Sequence, residues 1–232
     1  MCKYFFSLFL VIACAASSFG QEKPATRADT LKNRYFPTGL RVGFDAISII
    51  RSQDNAFKGW EFNVDTDFSR YYFTVDYGYW ATNQLLGNGN YQNAGNYLRV
   101  GADINFLLKD PDKNMFFFGL RYGLSSFNES VQYKNSTFYT GFGGIVGNET
   151  NSSVSGNWIE VTSGLRVKIV GGFWMGYTAR IKFAPSASGG GALQPYDMPG
   201  YGIISETPYW GFNYQLFWRF AWRETPNLRV KN

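Results

Sequence analysis

The chain has 232 residues, 22 Lys and Arg against 17 Asp and Glu, two Cys and no His. Without His there is no Ser-His-Asp or Cys-His chemistry and no imidazole metal ligation, and a net charge of +5 with no basic run speaks against nucleic acid. Aromatic residues make up 19% of the chain, yet past the N-terminal segment no apolar run reaches the roughly twenty residues of a membrane-spanning helix.

Residues 1–20, MCKYFFSLFLVIACAASSFG, combine an early Lys3, an apolar run and small residues, the layout of a secretory signal peptide. Ser18-Phe19-Gly20 sets cleavage before Gln21. An alternative is a lipoprotein signal over residues 1–13, with Cys14 of Val11-Ile12-Ala13-Cys14 lipidated. Both cysteines lie in this segment, so cleavage at Gln21 removes every thiol, and loss of Lys3 lowers the net charge to +4. Residues 21–37 are polar, hold two prolines and lack periodicity, and read as a periplasmic lead-in.

Eight strands follow, each with an apolar face and a polar face. The first, about Gly39 to Arg51, sets Leu40, Val42, Phe44 and Ala46 against Arg41, Gly43 and Asp45, with a break at Ile47-Ser48-Ile49-Ile50 read as a bulge. Strand two (about Lys58 to Phe68) opposes Trp60, Phe62, Val64 and Phe68 to Glu61, Asn63, Asp65 and Asp67. In strand three Tyr71, Phe73, Val75, Tyr77 and Tyr79 oppose Tyr72, Thr74, Asp76 and Gly78. Strand four runs from about Tyr97 to Leu107, with Leu98, Val100, Ala102, Ile104 and Phe106 against Arg99, Gly101, Asp103 and Asn105. The fifth sets Phe116, Phe118, Leu120, Tyr122 and Leu124 against Phe117, Gly119, Arg121, Gly123 and Ser125. The sixth sets Ile159, Val161, Leu165, Val167 and Ile169 against Glu160, Thr162, Gly164, Arg166 and Lys168. In the seventh, Phe173, Met175, Tyr177, Ala179, Ile181 and Phe183 face away from Trp174, Gly176, Thr178, Arg180 and Lys182. The eighth alternates Trp210, Phe212, Tyr214, Leu216, Trp218, Phe220 and Trp222 with Gly211, Asn213, Gln215, Phe217, Arg219 and Ala221.

The connections predicted between them, in order, cover about 52–57, 69–70, 81–96, 108–114, 128–157, 170–172 and 184–208. Every second one is tight while the others grow to roughly thirty residues, the asymmetry of short periplasmic turns and long external loops. Aromatics near strand ends (Trp60, Phe68, Tyr71, Tyr79, Trp158, Trp210, Trp218 and Trp222) suit belts at two lipid interfaces. The fold expected is all-β, an eight-stranded antiparallel transmembrane up-and-down β-barrel over residues 38–222, with a periplasmic tail at 223–232 and a place in the bacterial outer membrane. A secreted soluble sandwich is the alternative for such faces, but it gives no reason for the loop parity or for strands this long.

The polar faces then line a lumen. They carry eight bases (Arg41, Arg99, Arg121, Arg166, Lys168, Arg180, Lys182 and Arg219) and seven acids (Asp45, Glu61, Asp65, Asp67, Asp76, Asp103 and Glu160). Acids concentrate on strands two to four and bases on five to eight, so pairs are expected across the interior, with Arg121 and Asp103 a candidate between neighbours. Eight strands leave an interior about filled by side chains, which argues against a wide pore.

The segments RYFPTGLRVGFD (34–45), FTVDYGYW (73–80), LRVGADINFLLKDPDKNMFFFGLRYG (98–123) and the last strand resemble an uncharacterised family of small outer-membrane β-barrel proteins of Gram-negative bacteria. The resemblance spans nearly all of the mature chain and implies the fold and the location, with no activity attached. The plan also looks like the OmpA-type and OmpX-type barrels, which implies anchoring, adhesion or surface contact. The last strand resembles the C-terminal signal read by the barrel assembly machinery, except that Arg223 to Asn232 follow it.

The expected function is a structural or surface-interaction protein: a monomeric barrel in outer-membrane lipid, with a plugged lumen and a surface ligand reached through loops 128–157 and 184–208, the first of them either a loop or a hairpin that continues the barrel. Aromatics in those loops (Tyr133, Phe138, Tyr139, Phe142, Tyr196 and Tyr201) either contact a partner or pack on the barrel rim. A narrow or gated channel is the alternative, and an outer-membrane hydrolase built on Asp45, Asp65 or Asp76 stands third. No catalytic, cofactor or metal residue is assigned. Four N-glycosylation patterns at 128–130, 135–137, 148–150 and 151–153 read as loop composition.

Overall fold

The structure is a computed structural model that describes residues 36–87, 89–107, 110, 112–135, 145–191 and 193–222. The readings made for the signal segment, most of the lead-in, the tail and residues 136–144 lie outside the described residues.

The strands are β1 (Gly39–Asp45), β2 (Phe57–Phe68), β3 (Tyr71–Leu86), β4 (Gly89–Asn105), β5 (Met115–Asn135), β6 (Ile145–Val170), β7 (Phe173–Gly189) and β10 (Tyr209–Ala221), with a small hairpin of β8 (Asp197–Met198) and β9 (Gly202–Ile203) before the last. Eight of them close a ring in the order β1-β10-β7-β6-β5-β4-β3-β2, all neighbours antiparallel. Closure is made by β1 on β10, from Gly39 opposite Ala221 to Asp45 opposite Gln215. A closed ring leaves no unpaired sheet edge through this section.

The alternation seen in the sequence becomes an inside-out distribution of polarity. Outward side chains are exposed or half-exposed and apolar, with Leu120 at 59% and Phe73 at 58%, while inward Asp103 and Glu160 are at 0%. The apolar band ends on a polar row, Asn96, Ser126 and Ser155, which lie side by side across β4, β5 and β6. About five outward residues per strand cover about 30 Å of strand, or roughly 23 Å of height at a tilt of about 40°. Rings cluster at its two margins. Trp60 meets Tyr77 at 5.6 Å and Tyr79 at 6.5 Å on one side, and Phe118 meets Phe116 at 5.3 Å and Phe106 at 5.7 Å on the other.

Three expectations need correction. The first strand stops at Asp45, and Ala46–Arg51 form a helix, α1, in place of a bulge. Its reason is local: the Asp45 carboxylate caps it, accepting from the Ser48 amide at 3.1 Å and the Ser48 hydroxyl at 2.6 Å. The segments 81–96 and 128–157 are largely strand, and 184–208 is strand as far as Gly189 and in the short β8 and β9. β3 and β4 pair up to Leu86 opposite Gly89, β5 and β6 pair up to Asn135 opposite Ile145, and β7 runs on to Gly189. Beyond the band the outward face turns mostly polar, as at Asn83 and Gln92, and Thr82 and Asn93 point inward, so the ladder continues where the apolar signal has stopped. Trp158 is no belt residue, because it shares the inward parity of Glu160 and is wholly buried. The inward glycines make room for large inward rings: a Cβ at Gly123 would collide with the Trp158 indole and one at Gly78 with the Tyr97 phenol. Gly123→Val is therefore expected to cost about 1–3 kcal/mol, read by urea unfolding, with Trp158 displaced and its fluorescence shifted to the red.

Candidate functional site

The inward face is stacked in layers. At the short-turn end Tyr72, Met115, Phe117, Trp174 and Phe217 form a buried floor. The Arg41 guanidinium lies 4.8 Å from the Tyr72 ring and 5.2 Å from the Trp174 ring, and that of Arg166 lies 4.6 Å from Phe117. Above this floor two ionic clusters fill the lumen.

In the lower cluster Arg41 meets Asp65 at 2.8 Å, and Arg166 bridges Asp65 at 3.1 Å and Asp103 at 3.3 Å. Arg121 grips Asp103 with two nitrogens, at 2.7 and 2.9 Å, a bidentate pairing that suits the planar guanidinium. In the upper cluster Arg99 meets Glu61, Asp76 (3.3 Å) and Glu160 (3.6 Å). Arg180 meets the same three carboxylates, at 3.6, 3.2 and 2.9 Å. Asn63 donates to Asp76 at 2.6 Å, and Asn213 accepts from Arg180 Nε at 2.6 Å. Five arginines thus meet five carboxylates, and the two clusters together are neutral. Pairing of this kind is what lets charges stay buried, since an unpaired one costs several kcal/mol (about 3–5). Asp65 with Arg166 and Asp76 with Arg180 reach across the interior, tying together strands that are far apart in the ring.

The other predicted lumen residues divide. Arg219 pairs with Asp67 at 3.2 Å, near the floor, where Asp67 also accepts from the Thr38 and Gly39 amides at 2.9 Å. Among the described residues Asp45 forms no ion pair; it caps α1 and accepts from the Tyr214 amide at 3.0 Å. Lys182 is buried but donates to two carbonyls, Gly200 O and Tyr201 O, each at 2.8 Å. Lys168 does not belong to the lumen network. It sits past the lumen, where the β6–β7 register slips between Lys168 and Val170, and its exposed pairing with Asp112 is 3.7 Å long. Such a surface pair contributes little.

Above the ionic clusters Tyr97, Phe127, Val154 and Trp158 make a second aromatic layer. The Tyr97 hydroxyl donates to Glu61 at 2.7 Å and the Trp158 indole N–H to Glu160 at 2.7 Å, joining this layer to the charges beneath. Met198 and Tyr201, from the segment between β7 and β10, fill its centre and are fully buried. That segment is thus a cap on the lumen and not an outward loop. Sequence reasoning missed the residues that hold it: Tyr91, Asn93, Glu129 and Asn151. All lie on inward positions of β4, β5 and β6 beyond the apolar band, and carrying the inward parity past Tyr97 and Ser125 would have reached three of them. Asn151 lies beyond the irregularity near Phe127 and Glu129, where that count shifts. In the cap, burial pushes the Asp197 carboxyl above its ordinary range, against hydrogen bonds from Asn93 and Thr82 and the positive charge of Lys182.

Among the described residues no group of three or more His, Cys, Asp and Glu is placed to hold a metal ion. Two hollows, of about 580 and about 310 Å³, open at the long-loop end. The larger is lined mainly by Asn, Gln, Ser and Thr. The smaller lies between α1 and the cap, among Arg51, Phe57, Trp80, Asp197 and Tyr209.

Among solved structures, CarO of Acinetobacter baumannii is similar at 10% sequence identity and a TM-score of 0.37, over 82% of this chain and 100% of that one. No curated protein matches the chain. The chain belongs to the protein family described as a domain of unknown function, DUF6048, which it matches over residues 1–220.

Proposed function

We propose that the protein is a monomeric outer-membrane β-barrel of Gram-negative type, placed by the barrel assembly machinery, that acts as a sealed structural element presenting its extended hairpins to the outside. The observation that carries this reading is the joint arrangement of an apolar outer band and a lumen filled by two ion-paired clusters that are neutral together. The outer band supports a lipid surround, and a paired, buried interior supports anchoring and contact over transport. The role is non-catalytic: of the three carboxylates considered for a hydrolase, Asp65 and Asp76 are held in ion pairs with Arg41, Arg166, Arg99 and Arg180, and Asp45 is engaged in capping α1 and in accepting from the Tyr214 amide. In this frame the 171–172 turn faces the periplasm and the β3–β4 and β5–β6 hairpins rise above the surface.

Two measurements test it. The protein should fractionate with outer membranes as a heat-modifiable band, and a freely soluble monomer would overturn the location. In planar bilayers it should stay silent; steady ion-selective steps would instead favour a channel.

A further inference from the structure

Resting on the surface-contact reading above, we infer that the outer mouth of the barrel is a binding cleft for a short hairpin-forming peptide, and that residues 193–203 of the chain, which hold the β8–β9 hairpin, occupy it as a resident ligand. The cleft holds this segment by its main chain. Asn151 donates to Leu193 O at 2.5 Å and Asn93 to Asp197 O at 2.5 Å. The Tyr196 amide donates to Glu129 at 3.3 Å, and the Asp197 amide to the Tyr91 hydroxyl at 3.2 Å. Lys182 donates to the carbonyls of Gly200 and Tyr201. Five side chains from four strands thus converge on carbonyls and amides, groups that every peptide carries.

What is specific to the bound sequence is small. Met198 and Tyr201 insert into the cup of Tyr97, Phe127, Val154 and Trp158, and the Asp197 carboxyl faces Asn93 and Thr82. The ligand class is therefore a tight hairpin, turned by the Tyr201 amide donating to Met198 O at 2.9 Å, with two apolar side chains three residues apart, the first preceded by an acid. The segment is also built to leave. Among the described residues no ion pair joins it to the barrel wall, whereas the lumen below is held by ion pairs throughout. Its stems are exposed at residues 189–191 and 205–208, with the buried portion between them. A hollow of about 310 Å³, bordered by Arg51, Trp80, Asp197 and Tyr209, already opens beside it. Tethering gives the resident segment an effective concentration of roughly millimolar order, so an outside peptide competes poorly until the tether is cut or drawn out.

The test uses full-length protein in detergent carrying protease sites in the two exposed stems, cut after folding. The probe is a fluorescein-labelled synthetic peptide of residues 193–203, LQPYDMPGYGI. The excised segment should remain bound until exchanged, and the probe should bind the cut barrel saturably and the uncut barrel at least tenfold more weakly. Methylating the Tyr196 and Asp197 amides of the probe, or combining Asn93→Ala with Lys182→Gln, should weaken binding at least tenfold while the heat-modifiable shift persists. A second variant, with residues 193–204 replaced by a Gly-Ser linker, should bind the same probe without cutting. No probe binding to either folded protein, or binding indifferent to both amide methylation and the double substitution, would overturn the inference. Because the measurement is made in detergent, it can fail while the membrane location stands, and the fractionation test can fail on its own.

Discussion

Arg180→Met should destabilise the folded barrel by about 3–5 kcal/mol, the range for removing one partner from a buried ionic group. Arg180 is 2% exposed and sits among Glu61, Asp76 and Glu160. With Arg180 gone, Arg99 alone faces three carboxylates. Asn213 also loses the Nε donor it accepts from. Lys168→Met serves as the comparison: its single ion pair, with Asp112, is exposed and 3.7 Å long, and about 1 kcal/mol or less is expected. The measurement is urea-dependent folding in detergent or lipid, together with the temperature at which the folded band converts on a gel. Equal, small effects for both variants would mean that water solvates the charges, which is the behaviour of an open channel and not of a plug.

Leu120→Arg should cost about 2–4 kcal/mol when the protein folds into phosphatidylcholine vesicles, the magnitude for a cation near the bilayer midplane on the lipid face of a barrel. Leu120 is 59% exposed, points outward and lies opposite Ala102 and Val161 in the two neighbouring strands, in the middle of the apolar band. Ser130→Arg places the same charge on the same strand above the polar row of Asn96 and Ser126, where about 0–1 kcal/mol is expected. A soluble barrel would tolerate both changes equally, since an exposed arginine in water costs almost nothing. The difference between the two positions is thus a direct reading of where lipid lies.

Much of the barrel was legible in the sequence because one rule operates along each strand. An apolar outer face and paired charge inside impose a period of two, so Phe117, Trp174 and Phe217 could be set inward by parity alone despite being aromatic. Trp158 obeyed the same parity, and it was misplaced only where closeness to a strand end was weighed above it. The rule stops at the edge of the apolar band. Past Tyr79, Leu98 and Leu124 the outward face turns mostly polar, and hydrogen-bonded ladder and loop look alike in composition. The α1 helix escaped for a different reason: a single side chain, Asp45, caps it and ends the strand.

The sequence by itself determined the eight strands of the band, their faces and the near balance of acids and bases. Only the tertiary structure decided which charge meets which. Closing the ring brings Asp65 of β2 to Arg166 of β6 and Asp76 of β3 to Arg180 of β7, partners about a hundred residues apart that no local spacing relates. Closure also separated members of the set by depth, leaving Lys168 at the rim and handing Lys182 to two backbone carbonyls. The return of residues 193–203 into the mouth was likewise a tertiary decision. Its warrant is a set of main-chain hydrogen bonds from β4, β5, β6 and β7, whose donors and acceptors converge only once the cylinder has formed.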